Sequence, residues 1–178
     1  MSDWTLKAMF KMAGGQYGGS PLEKLIVDAT VGIGLSGECH VEALLSPTES
    51  FSALPSAGVR IVNELPGPAR RWWCLDTGLV IPDAARQWAL AECGQRYDEW
   101  DAFRSGFEGA EDSEIRPMFC SMAVARLYNQ CGGKCLDYQP GALGSGDPNP
   151  HRLAQLLTQY GAVTCSIPDN LFSQPVGV

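Results

Sequence analysis

CHVEALLSPTESFSALPSAGVRIVN, residues 39–63, is the stretch that sets the fold class. It divides into three runs of strand length, Cys39–Leu45, Ser50–Leu54 and Gly58–Asn63, with LSPTES as the first connection. Their length and their β-branched and aromatic content favour strands over helical turns. In Cys39–Leu45 the side chains alternate. Val41, Ala43 and Leu45 point one way, and His40, Glu42 and Leu44 point the other. A histidine and a carboxylate therefore share a face. A hairpin made of the first two runs would bring Ser52 beside His40.

Upstream, Lys24–Thr30 (KLIVDAT) is another β-rich run, and Gly14–Pro21 is a loop by composition. Trp4–Ala13 reads as a short amphipathic helix, with Trp4, Met9, Phe10 and Met12 as its apolar residues. Downstream, Trp72–Asp76 (WWCLD) is a further strand, and then the character changes. Pro82–Cys93 reads as a helix with proline near its first turn and Gly94 as its stop. Tyr97–Phe107 reads as a second, shorter helix, and Phe107–Pro117 as an acidic loop. Phe119–Cys131 is the clearest helix. Met122, Val124, Ala125, Leu127 and Tyr128 give it a broad apolar side, and Gly132 and Gly133 end it. GALGSGDPNP is a loop with Asn149 as an N-cap candidate, and His151–Tyr160 is a last helix. Residues 162–178 read as an irregular tail. Strands precede helices, which is an α+β pattern with a mostly antiparallel sheet. The length of 178 residues fits a single domain over 1–178.

Composition narrows the function classes. The chain is 45% hydrophobic and 19% charged, which suits a packed core. A net charge of -7 repels phosphate backbones and anionic membrane surfaces, so no nucleic-acid partner is expected. No run approaches the roughly 20 apolar residues of a membrane span. The apolar N-terminal run is broken by Lys7 and Lys11, unlike a secretion signal. A cytoplasmic location is expected. The seven cysteines are odd in number and irregular in spacing, which points to reduced, buried thiols. Cys131 and Cys135 flank a short turn, but a zinc site needs about four ligands and the only histidines are His40 and His151. No metal is expected.

Cys120 is the first chemical candidate. It falls at the start of the clearest helix, where unpaired N–H groups and a partial positive charge favour a thiolate and can bind an oxyanion. The bland alternative is a buried structural cysteine. His40 is the second candidate, as a base with Glu42 on its own face to hold its tautomer. The alternative is an ordinary polar sheet face. His151 opens a terminal helix and suits a surface role better. Ser52 and Tyr97 are weaker candidates by position alone. Serine is common in strands, and the tyrosine fits a core-edge aromatic.

Four motifs occur in order: ECHVEALL, ESFSALPSAGVR, GQRYDEWDAF and MFCSMAVARLY. Together they resemble the circularly permuted branch of the NlpC-type papain-like cysteine hydrolases, in particular small proteins encoded by bacteriophages and prophages. Those carry a SHVEL strand, an SASP…GGVR segment, a YDW segment and a WFCSE helix start. The matching segments run from about Lys24 to Tyr128, and the histidine strand precedes the cysteine helix, as in the permuted branch. The resemblance implies an antiparallel sheet or half-barrel packed against helices. It implies Cys120 as nucleophile, His40 as base and Tyr97 as a helper at the oxyanion site. The family's third polar residue, on the strand after the histidine, falls here on Ser52. Relatives carry His, Asn, Gln or Glu there, so Glu42 is the alternative. Met122 stands where relatives tend to have Glu, and Cys39 where they have Ser. The implied activity is cleavage of an amide or ester through a cysteine acyl-enzyme, with no cofactor. The implied substrates are a peptide, a peptidoglycan fragment or an acyl lipid, in a virion or the cytoplasm of a phage host. The rival is a non-catalytic phage structural or host-interaction protein on the same fold.

Overall fold

A computed structural model describes residues 4–12, 38–65, 69–98, 118–133 and 149–172. The first element corrects the expectation of a helix. Thr5–Met12 is a strand, β1. Leu6, Ala8 and Phe10 are buried toward the main core, whereas Lys7 and Lys11 remain partly exposed on the other side. This is a period of two. Lys7 and Lys11 also stand four residues apart, so the same run mimics one face of a helix. Pairing on both edges decides between the two readings, because a strand flanked by two others satisfies its backbone without a helix. Lys7 is tied to Asp76 by an ion pair, and the Lys11 ammonium stands 5.6 Å from the centre of the Trp72 ring.

The three strands of the opening stretch form as expected. They are β2 (Glu38–Ser46), β3 (Glu49–Leu54) and β4 (Gly58–Val62). β5 is Trp72–Val80, longer than the sequence alone indicates. Three helices follow among the described residues: α1 (Asp83–Glu92), α2 (Cys120–Gln130) and α3 (Pro150–Gln159). Asn149 caps α3 by accepting the Arg152 amide at 2.8 Å. Part of the expected irregular tail is ordered. Val163–Cys165 is a short strand, β6, and Asp169–Leu171 is one turn of 3-10 helix. The run Lys24–Thr30, most of Tyr97–Phe107, the acidic loop and most of GALGSGDPNP lie outside the described residues.

The architecture is α+β. The six strands make one antiparallel sheet in the order β4-β3-β2-β1-β5-β6. One face, with Phe10, Val41, Ala43, Phe51, Ala53, Val59 and Leu75, packs with residues of α1, α2 and α3 in the main core. Phe51 is 0% exposed, so truncating it to alanine would cost about 3–5 kcal/mol. A smaller cluster of Met9, Leu44, Trp72 and Cys74 is covered by Leu65, Leu171 and Phe172. Leu65 and Phe172 form a bridge that closes this cover.

Two local features place the chain around His40 and Cys120. The β1–β2 register shifts between Lys11 and Met12, which pair with His40 and Glu38 and leave Cys39 as the extra residue. Such a bulge bends its strand just before His40. At the β3–β4 turn, Gly58 has φ +68, and a Cβ there would meet the Gln95 carbonyl oxygen at 2.2 Å. Glycine therefore lets the backbone of Gln95 bond Val59 at 2.9 Å. From Gln95 the chain runs on to Tyr97, which bridges to Met118, two residues before Cys120. No helix among the described residues is long and apolar enough to cross a membrane.

Candidate active site

The site begins with the alternation of β2. His40 and Glu42 share a face, and His40 Nε2 is 2.9 Å from Glu42 Oε1. The same carboxylate oxygen accepts from Arg60 Nη2 at 2.7 Å. Arg60 pairs with Ser52 across β3 and β4, so the strand register carries it to the face of His40 and Glu42. Glu42 is 0% exposed. A buried carboxylate needs a cation and a hydrogen-bonding partner, and this one has both. Among the described residues, Arg60 Nη1 has no hydrogen-bond partner.

Cys120 is the first residue of α2, after Phe119 in extended conformation at the N-cap. It lies close enough to the His40 ring for its charge to bear on the imidazole. The backbone N–H groups of the first helical turn have no acceptor within the helix. They stand beside the sulfur together with the positive end of the helix dipole. Cys120 is 5% exposed, and the His40 side chain is 14% exposed.

The electrostatics follow from these contacts. Burial alone would push the His40 imidazole down. The charge and hydrogen bond of Cys120, followed by those of Glu42, outweigh burial and raise it to about 9. Burial would likewise push the Glu42 carboxyl up. The hydrogen bond and charge of His40, then the charge of Arg60, hold it below the ordinary carboxylate range. Around neutral pH the ring is therefore an imidazolium lying between a carboxylate and the sulfur.

Three of the residues singled out from sequence, Cys120, His40 and Glu42, come together. Ser52 does not join them as an orienting partner. Its hydroxyl is 0% exposed and donates to the Val41 carbonyl at 2.7 Å, which leaves Glu42 in that position. Tyr97 is half-buried against the main core, and Asp98 N–H donates to the Met118 carbonyl at 3.3 Å, so this segment lies alongside the entry to α2. Met122 is buried in the main core. Cys131 is half-buried, and burial pushes its thiol up to about 11; Cys135 lies outside the described residues.

Two contributors escape a reading of the sequence. Arg60 stands in the GVR segment, but its role needs the β3–β4 register. Pairing Ser52 with Arg60 across the short turn was the available signal. Trp72 holds its ring edge-on to His40, with centroids 6.0 Å apart, and nothing local marks it for that place.

The fold and site together define an α+β protein with a Cys–His–Glu chain at a helix start. No family model, curated protein or solved structure matches the chain.

Proposed function

We propose that this protein is a cysteine hydrolase of the papain-like, circularly permuted NlpC type. It would cleave an amide or ester through an acyl-enzyme on Cys120. One observation carries the reading: a cysteine at a helix start lies beside a histidine, and one ring nitrogen of that histidine is held by a buried glutamate. An activated nucleophile requires this order of nucleophile, base and orienting group.

In this scheme the Cys120 thiolate attacks a carbonyl carbon. The oxyanion that develops faces the N–H groups of the first turn of α2, and one such donor is worth about 3 kcal/mol. His40, protonated at neutral pH, gives its proton to the leaving amine or alcohol. The ring then takes a proton from the water that resolves the acyl-enzyme. Glu42 and Arg60 hold the ring in one orientation throughout. Tyr97 is the family-derived candidate for a further oxyanion donor. The substrate classes are a peptidoglycan stem-peptide amide, another peptide, or an acyl lipid, and the resemblance to phage-encoded proteins suggests a phage setting. The net charge of -7 weighs against direct attraction to an anionic wall polymer.

The near-complete burial of Cys120 favours a second reading, a non-catalytic phage structural or host-interaction protein on the same fold. Alkylation by iodoacetamide separates the two. The hydrolase reading expects a rate at Cys120 that stays high into acidic pH and drops in His40→Ala. A rate that rises only near about pH 8.5, as for an ordinary thiol, favours the non-catalytic protein. Mass spectrometry of peptidoglycan fragments and acyl esters, wild type against Cys120→Ala, then identifies the bond cleaved.

A further inference from the structure

Cys74 and Cys165 face each other across the β5–β6 pair. Opposed residues of an antiparallel pair hold their Cα atoms about 4.5–5.5 Å apart, inside the span of about 4.4–6.8 Å that a disulfide bridges. Directly opposed residues point to the same face of the sheet, Cys165 packs against the cluster that holds Cys74, and both are free thiols. Their exposure differs. Cys74 is 0% exposed within the smaller core cluster. Cys165 is half-buried on β6, which is an edge strand of the sheet. We propose that Cys74 and Cys165 form a dithiol modification site, converted by small disulfides of the glutathione class into a cross-strand disulfide. This is separate from the hydrolase reading and stands without it.

The accessible thiol reacts first. Cys165, as thiolate, attacks one sulfur of the oxidant. The oxidant's S–S bond breaks, one small thiol leaves, and a mixed disulfide forms on Cys165. Cys74 then loses its proton to solvent and attacks the Cys165 sulfur. The mixed disulfide breaks, the second small thiol leaves, and the intramolecular S–S bond forms. The protein has lost two hydrogens and the oxidant has been reduced to two thiols. The second step is the slow one. Burial and the neighbouring Cys165 raise the Cys74 thiol, Asp76 adds to this, and the Lys7 ammonium opposes it only in part. The product ties β6, and through it the segment that covers Trp72, to the sheet.

The test uses the full chain treated with oxidised glutathione, blocked with iodoacetamide and mapped as unreduced peptides. The wild type should yield a linked Cys74–Cys165 peptide without retained glutathione. Cys74→Ser should stop at a glutathione adduct on Cys165, and Cys165→Ser should leave Cys74 unmodified. The thermal midpoint should rise on oxidation in the wild type, return on reduction, and stay put in Cys165→Ser, which replaces a partly exposed side chain. A wild-type adduct that persists on Cys165 beside a free Cys74 would overturn the proposal. So would a Cys165 left untouched while the exposed Cys93 reacts.

Discussion

Replacing Cys120 with alanine should lower the titration midpoint of His40 and flatten the alkaline loss of stability. In the wild type the imidazole is raised from 6.5 to about 9 although burial acts to lower it. Each pH unit corresponds to about 1.4 kcal/mol, so the native state favours the protonated ring by about 3 kcal/mol. The sign follows from linkage. A group raised on folding stabilises the fold fully below its unfolded value of about 6.5, and that contribution disappears as pH climbs through about 9. The Cys120 contributions exceed those of Glu42. Removing the sulfur should therefore lower the midpoint by at least about one pH unit, with the burial penalty then less opposed. The histidine C2 protons report this by NMR, and with only His40 and His151 in the chain a His151→Ala spectrum assigns them. Urea unfolding at pH 6.5 and pH 9.5 reads the energy: the wild type should lose about 3 kcal/mol over that interval and the variant clearly less. A wild-type midpoint at or below about 6.5, or the same midpoint in both proteins, would refute the contact on which the site is built.

Three further substitutions probe the supports of the site. Glu42→Gln leaves the partly buried Arg60 without its counter-charge and should cost about 3 kcal/mol in urea unfolding, with Arg60→Met in the same chain recovering part of it; a cost no larger than a surface change would remove Glu42 from its central place. Ser52→Ala loses one buried hydrogen bond to Val41 and should cost about 1 kcal/mol while leaving the alkylation rate of Cys120 unchanged. A rate loss matching that of Glu42→Gln would return Ser52 to the catalytic set. Gly58→Ala forces a side chain into a left-handed conformation and against the Gln95 carbonyl, and should cost about 3 kcal/mol or more; a thermal midpoint within a degree or two of wild type would show that the turn relaxes.

Local rules account for much of the architecture. Residues 39–63 announced three strands because short runs of alternating side chains, separated by short turns, have few other ways to satisfy their backbone. Helices α1, α2 and α3 were legible from their stops and caps, Pro82 and Gly94, Gly132, and Asn149. The shared face of His40 and Glu42 followed from the strand period alone, and the helix-start position of Cys120 from the apolar pattern behind it. What failed locally is equally specific. β1 carries a pattern that fits either period, and β6 has only three residues, so the partners on each side had to decide.

The sequence by itself determined the class of fold, the three strands within residues 39–63 and the helices that follow, and the residue types available for chemistry, because each depends on neighbours within a turn or a hairpin. Tertiary structure alone decided that the Cys120 sulfur meets the His40 ring, that Arg60 secures Glu42, and that the Ser52 hydroxyl is spent on a backbone carbonyl. Those outcomes depend on strand register and on where a helix lands on a sheet. Both are set by the burial of the whole core, which no local stretch of sequence encodes.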